Sequence, residues 1–268
     1  MTTDQTPAPE SQEQVQEEMP EQSFISHLVE LRNRLVFGLG SVFVIFIVLI
    51  IYPGSNALYE WFSAPLTSIL PEGTSMISTE PHGPFFVPFK LTGALAVGIA
   101  VPVLLYQIWA FVAPGLYKNE KRIVFPLLLS STLLFYLGVL FAYYVVFPII
   151  FGFFTATAPE GVAVMTDINS YMGFALKLFL AFGVAFEVPV ATVLLAKLGI
   201  VSPEAMAQKR AYVVVAAFIV GMLMTPPDIF SQTFLALPVW FLFEVGLIFA
   251  KRVYPYDQDE DETPISEI

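Results

Sequence analysis

The sequence has no cysteine, so a disulfide framework and a thiolate metal site are both excluded. Histidine is nearly absent, and the two present, His27 and His82, fall on opposite sides of the expected membrane. No His/Glu pair has zinc-ligand spacing, no Gly-rich loop could cradle phosphate, and no nucleophile stands beside a base. Catalysis therefore has no support in the residues, and no cofactor is expected. Charge is also scarce: 13% of the 268 residues are charged, against roughly 25% in a soluble domain. What fills the space is apolar, 56% of the chain with a mean hydropathy of +0.73. This is the composition of a membrane protein.

The net charge of −11 is carried by the tails. Asp4, Glu10, Glu13, Glu17, Glu18 and Glu21 precede the apolar region, and Asp257, Asp259, Glu260, Asp261, Glu262 and Glu267 follow it. No Lys or Arg accompanies them, so residues 1–22 and 253–268 are expected to be solvated, disordered tails. Residues 1–21 have no basic n-region or early apolar core and do not read as a secretory signal.

Between the tails, residues 23–252 form the expected transmembrane domain, with six apolar segments at about 35–52, 91–113, 124–154, 170–196, 212–224 and 230–250. A helix of about 20 residues crosses a hydrocarbon core of about 30 Å. The fifth segment spans only about 20 Å at 1.5 Å per residue, so it must borrow flanking residues or thin the bilayer. Ten of the twelve bases, among them Arg32, Arg34, Lys118, Lys121, Arg122, Lys197, Lys209, Arg210, Lys251 and Arg252, lie on alternate connections. The positive-inside rule then predicts cytoplasmic termini. Pro102, Pro126, Pro148, Pro189 and Pro238 interrupt the spans and remove backbone donors. The fold class expected is all-α: six unequal, kinked transmembrane helices with a concave face. No internal repeat is visible, which weakens an inverted-repeat transporter. The Pro-rich connection 53–89 contains "ALYEWFSAPL", whose Tyr59, Trp61 and Phe62 suit a short interfacial helix capping the bundle.

Polar residues in such a chain carry the information. "AFGVAFEVPVA" sets Glu187 inside the fourth segment, at a cost of roughly 2.5–3.5 kcal/mol unless a partner, water or a proton relieves it. Pro189 displaces the bond to the Ala185 carbonyl, so a polar notch is expected beside Glu187, either as structural glue or as a functional site. "MTPPDIFSQ" gathers Thr225, Asp228, Ser231 and Gln232. Asp228 either caps the sixth helix or helps to dock another transmembrane helix. Glu244 is expected to reach headgroups or pair with Lys251. On the basic side, "SFISHLVELRNRL" places Phe24, Leu28, Leu31 and Leu35 at helical spacing. Its Glu30 and Arg34 stand at i, i+4, the arrangement of an ordinary surface salt bridge worth under about 1 kcal/mol. Glu120 in "YKNEKR" reads as a solvated loop charge, yet with Glu30 it offers two carboxylates to a dicationic ligand. Arginine suits such bidentate recognition.

"HLVELRNRL", "VLLYQIWAFVAPGLYKNEKR", "AFEVPV" and "MTPPDIFSQ" together resemble the motifs of the TatC family, the polytopic subunit of the twin-arginine protein translocase. The resemblance runs from about Phe24 to Lys251. It implies binding of twin-arginine signal peptides on folded cargo at the cytoplasmic face of the bacterial inner membrane. It further implies hetero-oligomers of several copies with the single-span partners TatA and TatB, and export driven by the proton-motive force. No nucleic acid is implied. By the same resemblance Glu30 and Glu120 are the signal-binding carboxylates, with Phe24, Arg32 and Phe111 on the surrounding surface. Glu187, Met222, Thr225, Asp228 and Gln232 are the intramembrane and partner-contact positions. Pro65, Pro102 and Tyr143 match positions linked to function or assembly. The competing readings are an ion-coupled small-solute transporter using Glu187 as a proton site, and a passive membrane scaffold.

Overall fold

The computed structural model describes residues 20–67, 76–112, 124–157, 165–224 and 229–254. Among these the chain is helical, apart from turns and one parallel bridge between Ile77 and Asp167. Helix α1 runs Pro20–Ile51, α2 Ser55–Thr67, α3 Gly83–Val112 and α4 Val124–Phe141. A π-helical segment, Ala142–Val146, joins α4 to α5, Phe147–Ala156. Then follow α6 Ile168–Ala185, α7 Val188–Lys197, α8 Pro203–Gln208, α9 Arg210–Met224 and α10 Ile229–Val253.

Five stretches are long and apolar enough to cross a membrane: Ser26–Ile51, Gly83–Phe111, Phe125–Ala156, Ile168–Lys197 and Gln232–Val253. The remaining expected segment, the fifth, is α9, whose 15 residues reach only about 22 Å. Several bounds differ from those the apolar runs suggest. The first helix begins at Pro20, not near residue 35, so residues 20–22 belong to a helix and the amphipathic stretch is its continuation. The second begins at Gly83, eight residues earlier than expected, with Pro84 in its first turn and Pro88 inside it. Pro84 costs no bond there, because the first N–H groups of a helix have no intrahelical acceptor. Pro126 likewise sits in the first turn of α4, and does not kink its interior.

Of the other prolines, Pro148 and Pro189 coincide with interruptions of the α-helix, and Pro102 and Pro238 do not. Pro148 follows the π segment at the start of α5. Pro189 stands in the first turn of α7, and the α-helix is broken at Phe186–Glu187 just before it. Pro102 and Pro238 remain within α3 and α10.

Apolar side chains gain little by leaving lipid for another helix, so helix pairing depends on close packing of small residues. Two crossings illustrate this. Between α4 and α6, a Cβ on Gly138 would collide with the Phe182 carbonyl and come within 2.9 Å of the Phe186 ring, while one on Gly183 would meet the Phe135 ring at 2.6 Å. Between α7 and α10, a Cβ on Gly246 would come within 2.8 Å of the Pro189 Cα. The largest core cluster lies where the π segment, α5, α6 and α10 meet, around Phe147, Ile150, Phe182, Leu178 and Leu235. By contrast α1 packs on α3 and leaves Phe37, Phe43, Val44 and Ile51 exposed, as a lipid-facing helix would.

Helix α2 is fastened over this core. Phe62 meets Tyr143 at 5.5 Å and Phe179 at 5.7 Å between ring centroids, and the Tyr143 hydroxyl donates to the Phe62 carbonyl at 3.5 Å. The strand-like piece after it is latched to α6. Asp167 caps α6 by accepting from Ser170 N at 2.9 Å, and also accepts from Thr79 N and Oγ1, both at 2.9 Å. These bonds favour the ionised carboxylate, led by the Thr79 and Ser170 backbone N–H groups, and hold Asp167 well below the usual carboxylate range. A depressed folded pKa means the latch contributes fully above about pH 4 and is lost as the pH falls toward the folded value. Asp167→Ala should therefore lower the thermal midpoint at pH 7. The gap from the parent should narrow as the pH is taken below 4; a gap constant from pH 7 to 3 would contradict this.

Candidate functional site

Two polar places emerge on the framework, at different depths. The first is the start of α1. One turn after Phe24, whose backbone lies in α1, His27 stacks on Phe111 near the end of α3, with centroids 4.4 Å apart and planes 24° apart. The stack shows that α1 and α3 run antiparallel and ties the entry of one to the exit of the other. Glu30 lies three residues beyond His27, on the same side of the helix. Arg34 Nε donates to Glu30 Oε1 at 2.9 Å, and its Nη2 donates to the same oxygen. Among the described residues, Glu30 Oε2 accepts no hydrogen bond. Both residues are half-buried, so the pair is less screened than a fully exposed one. Arg32 points elsewhere, exposed, with its Nη2 3.3 Å from Asn33 Oδ1. The structure thus brings Glu30, Arg34, His27 and Phe111 together, whereas Glu120 lies outside the described residues.

The second place is the break between α6 and α7. Glu187 occupies the turn there, with its backbone N–H donating to the Val184 carbonyl at 3.0 Å and its carbonyl accepting from Ala191 N at 2.9 Å. Ser131 of α4 is the polar neighbour of its carboxyl group. Even so, neither Ser131 Oγ nor Glu187 Oε1, both buried, completes a hydrogen bond. An unsatisfied buried acceptor facing an unsatisfied hydroxyl is costly, and it is relieved by a proton, a water or an incoming donor. The break before Pro189 thus leaves a buried, unpartnered carboxylate oxygen of Glu187 close to Ser131 of α4.

The remaining described positions lie on other elements. Met222 is exposed on α9. Gln232 of α10 packs against Gly221 of α9, where a Cβ on that glycine would lie 3.7 Å from the Gln232 Cα. Thr225 and Asp228 lie outside the described residues. Pro65 sits in α2. Tyr143 is in the π segment, holding α2 as described above.

One expectation is corrected. Glu244 pairs with Arg210 and not with Lys251: Arg210 Nε and Nη2 grip its two carboxylate oxygens, the second at 2.9 Å. The two residues are 34 positions apart, and only the packing of α9 on α10 brings them together. Sequence reading also missed the Asp167–Thr79 latch and Ser131. The Asp-x-x-Ser spacing of Asp167 and Ser170 carried the capping half of that latch as a signal. Nothing local marks Thr79 or Ser131.

Long apolar helices, basic residues at their ends and carboxylates set on helices without a catalytic partner define a polytopic helical membrane protein. The family described as TatC, Sec-independent protein translocase protein, matches residues 26–238. The TatC protein of Haemophilus influenzae is 56% identical over 238 residues, covering 89% of this chain and 92% of that protein. That of Escherichia coli K12 is 56% identical over 230 residues, covering 86% and 88%. A crystal structure of the twin-arginine translocase receptor TatC superposes with a TM-score of 0.76 at 36% identity, covering 85% of this chain and 99% of that one. The chain belongs to the TatC family and is a subunit of the Sec-independent protein translocase, a transport component and not an enzyme.

Proposed function

We propose that this subunit receives twin-arginine signal peptides at the α1–α3 end of the bundle, with Glu30 and Glu120 as acceptors for the two guanidinium groups. The observation that carries the reading is the state of Glu30. One of its oxygens is occupied by Arg34 and the other is without a partner among the described residues, beside the His27–Phe111 stack. An arriving arginine takes Oε2 without first displacing Arg34, and Arg34 keeps the carboxylate oriented while the site is empty. Phe24, Arg32 and Phe111 form the surrounding surface. In support, the solved relative is described as a twin-arginine translocase receptor.

This reading places both termini and the Glu30 end in the cytoplasm, in the bacterial inner membrane, with α9 as the sixth span. An even number of crossings follows from termini on one side, and the basic residues favour that side. At 15 residues α9 is short of a bilayer core, so the membrane thins around it. The notch at Glu187 takes a polar group from a single-span partner of the TatA or TatB type. Met222 on α9 and Gln232 on α10, with Thr225 and Asp228, serve as the partner-contact positions. Transport of folded cargo then draws on the proton-motive force, with several copies of each subunit assembled.

The test compares two charge reversals. Glu120→Lys is expected to weaken binding of a twin-arginine peptide at least tenfold, and Glu204→Lys to change it less than twofold. Equal losses would mean a general charge effect and would remove Glu120 from the site. Solute flux by the purified protein alone in vesicles would instead favour a transporter.

A further inference from the structure

We propose that the seam between α9 and α10, at the end carrying Arg210 and Lys251, is a binding site for the phosphate headgroup of an anionic phospholipid. The Arg210–Glu244 pair fixes the position of the seam. It also consumes the one carboxylate that α10 offers there, so among the described residues Lys209, Lys251 and Arg252 have no ion-pair partner. Lys209 directly precedes Arg210. Lys251 lies two turns beyond Glu244 on the same face of α10, at the heptad spacing that keeps residues on one stripe. Arg252 is held beside it, its guanidinium 5.8 Å from the centre of the Phe249 ring.

Lys197 closes the last turn of α7, and its neighbour Ala196 packs in one cluster with Met206, Leu247 and Ala250. Four cations thus gather around the ends of α7, α8 and α10, where Glu204, exposed on α8, is the remaining acid of these helices.

Directly along the same helices, Tyr212 and Val215 of α9 and Ile248 and Phe249 of α10 are exposed. A cationic rim above an apolar wall matches a ligand with a phosphodiester at one end and acyl chains at the other. A soluble phosphate would use the rim alone and leave the wall bare. The charge is complementary to an anionic headgroup, and each lysine near such a surface adds roughly a five-fold factor in affinity, from about 1 kcal/mol.

The experiment uses the full-length protein, purified in neutral detergent and freed of lipid. Phosphatidylglycerol, phosphatidylcholine and water-soluble glycerol 3-phosphate are each titrated, with retained ligand read by native mass spectrometry and by the shift in thermal midpoint. Phosphatidylglycerol is expected to bind and stabilise, phosphatidylcholine to bind at least tenfold more weakly, and glycerol 3-phosphate to leave the midpoint unchanged. Lys209→Gln combined with Lys251→Gln should weaken phosphatidylglycerol about tenfold or more, while Lys90→Gln, on α3 at the other end, should not. Equal retention by the double variant would overturn the proposal. So would equal binding of the zwitterionic lipid, or glycerol 3-phosphate binding as tightly as the lipid. These outcomes are independent of signal-peptide binding, which the same variants should retain.

Discussion

Glu30→Gln is expected to reduce affinity for a twin-arginine peptide by roughly ten- to a hundredfold, the range of a charge-assisted hydrogen bond worth about 1.5–3 kcal/mol. The substitution keeps the shape and one acceptor but removes the charge, so it isolates the electrostatic part of recognition. The resting pair provides the internal control. Arg34 binds Glu30 Oε1 in the empty site, so Arg34→Gln leaves the acceptor charged and unshared. Peptide affinity in Arg34→Gln should be equal to or higher than in the parent, although helix α1 loses a surface pair worth under about 1 kcal/mol. Loss of binding in both variants, measured by titration calorimetry, would mean that the pair is structural and the acceptor lies elsewhere.

The second large effect concerns packing. Gly138→Leu should destabilise the protein by about 1–3 kcal/mol or more, because its Cβ alone would strike the Phe182 carbonyl and the Phe186 ring, and a branched side chain has no room to turn aside. The backbone of α6 must then move away from α4. That motion opens the gap between Ser131 and Glu187, so loss of partner binding should accompany loss of stability. Gly152→Ala offers the comparison: a Cβ there meets nothing within 4 Å, and adding one in mid-helix removes backbone freedom from the unfolded chain. Its thermal midpoint in detergent should match or exceed the parent's, while that of Gly138→Leu falls by several degrees. Similar midpoints for all three proteins would contradict close approach at the α4–α6 crossing.

Much of the fold could be read from the chain, for identifiable reasons. Long runs of apolar residues have one solution in lipid, since a helix satisfies its own backbone, and the observed spans fall on the expected segments. The break before Pro189 followed from the missing donor of that residue, and it appears at Phe186–Glu187. The start of α1 was less legible. Residues 20–34 are polar enough to end an apolar run, yet helix formation depends on backbone bonding and not on hydropathy. The start of α3 was hidden by Pro84 and Pro88, which read as loop signals although the first is harmless in an opening turn.

The sites divide in the same way. Glu30 with Arg34 was visible because i, i+4 contact is a property of the helix itself. Glu187 was visible because a carboxylate inside an apolar run needs an explanation. Arg210–Glu244, Thr79–Asp167 and Glu187–Ser131 were not visible, since each joins elements whose relative placement no local pattern encodes. The His27–Phe111 stack belongs with these, and it is what makes the Glu30 surface a two-helix feature and not a stripe on a single helix.

The account rests on Glu30 and Glu120 discriminating guanidinium from ammonium. A guanidinium presents a planar fork to a carboxylate, and an ammonium is a point charge of equal sign. The direct measurement is a titration of the purified full-length protein with a twin-arginine signal peptide and with its twin-lysine variant at the same ionic strength. The arginine peptide is expected to bind at least tenfold more tightly, with the difference abolished in Glu30→Gln. Equal binding of the two peptides, or binding of neither, would contradict it.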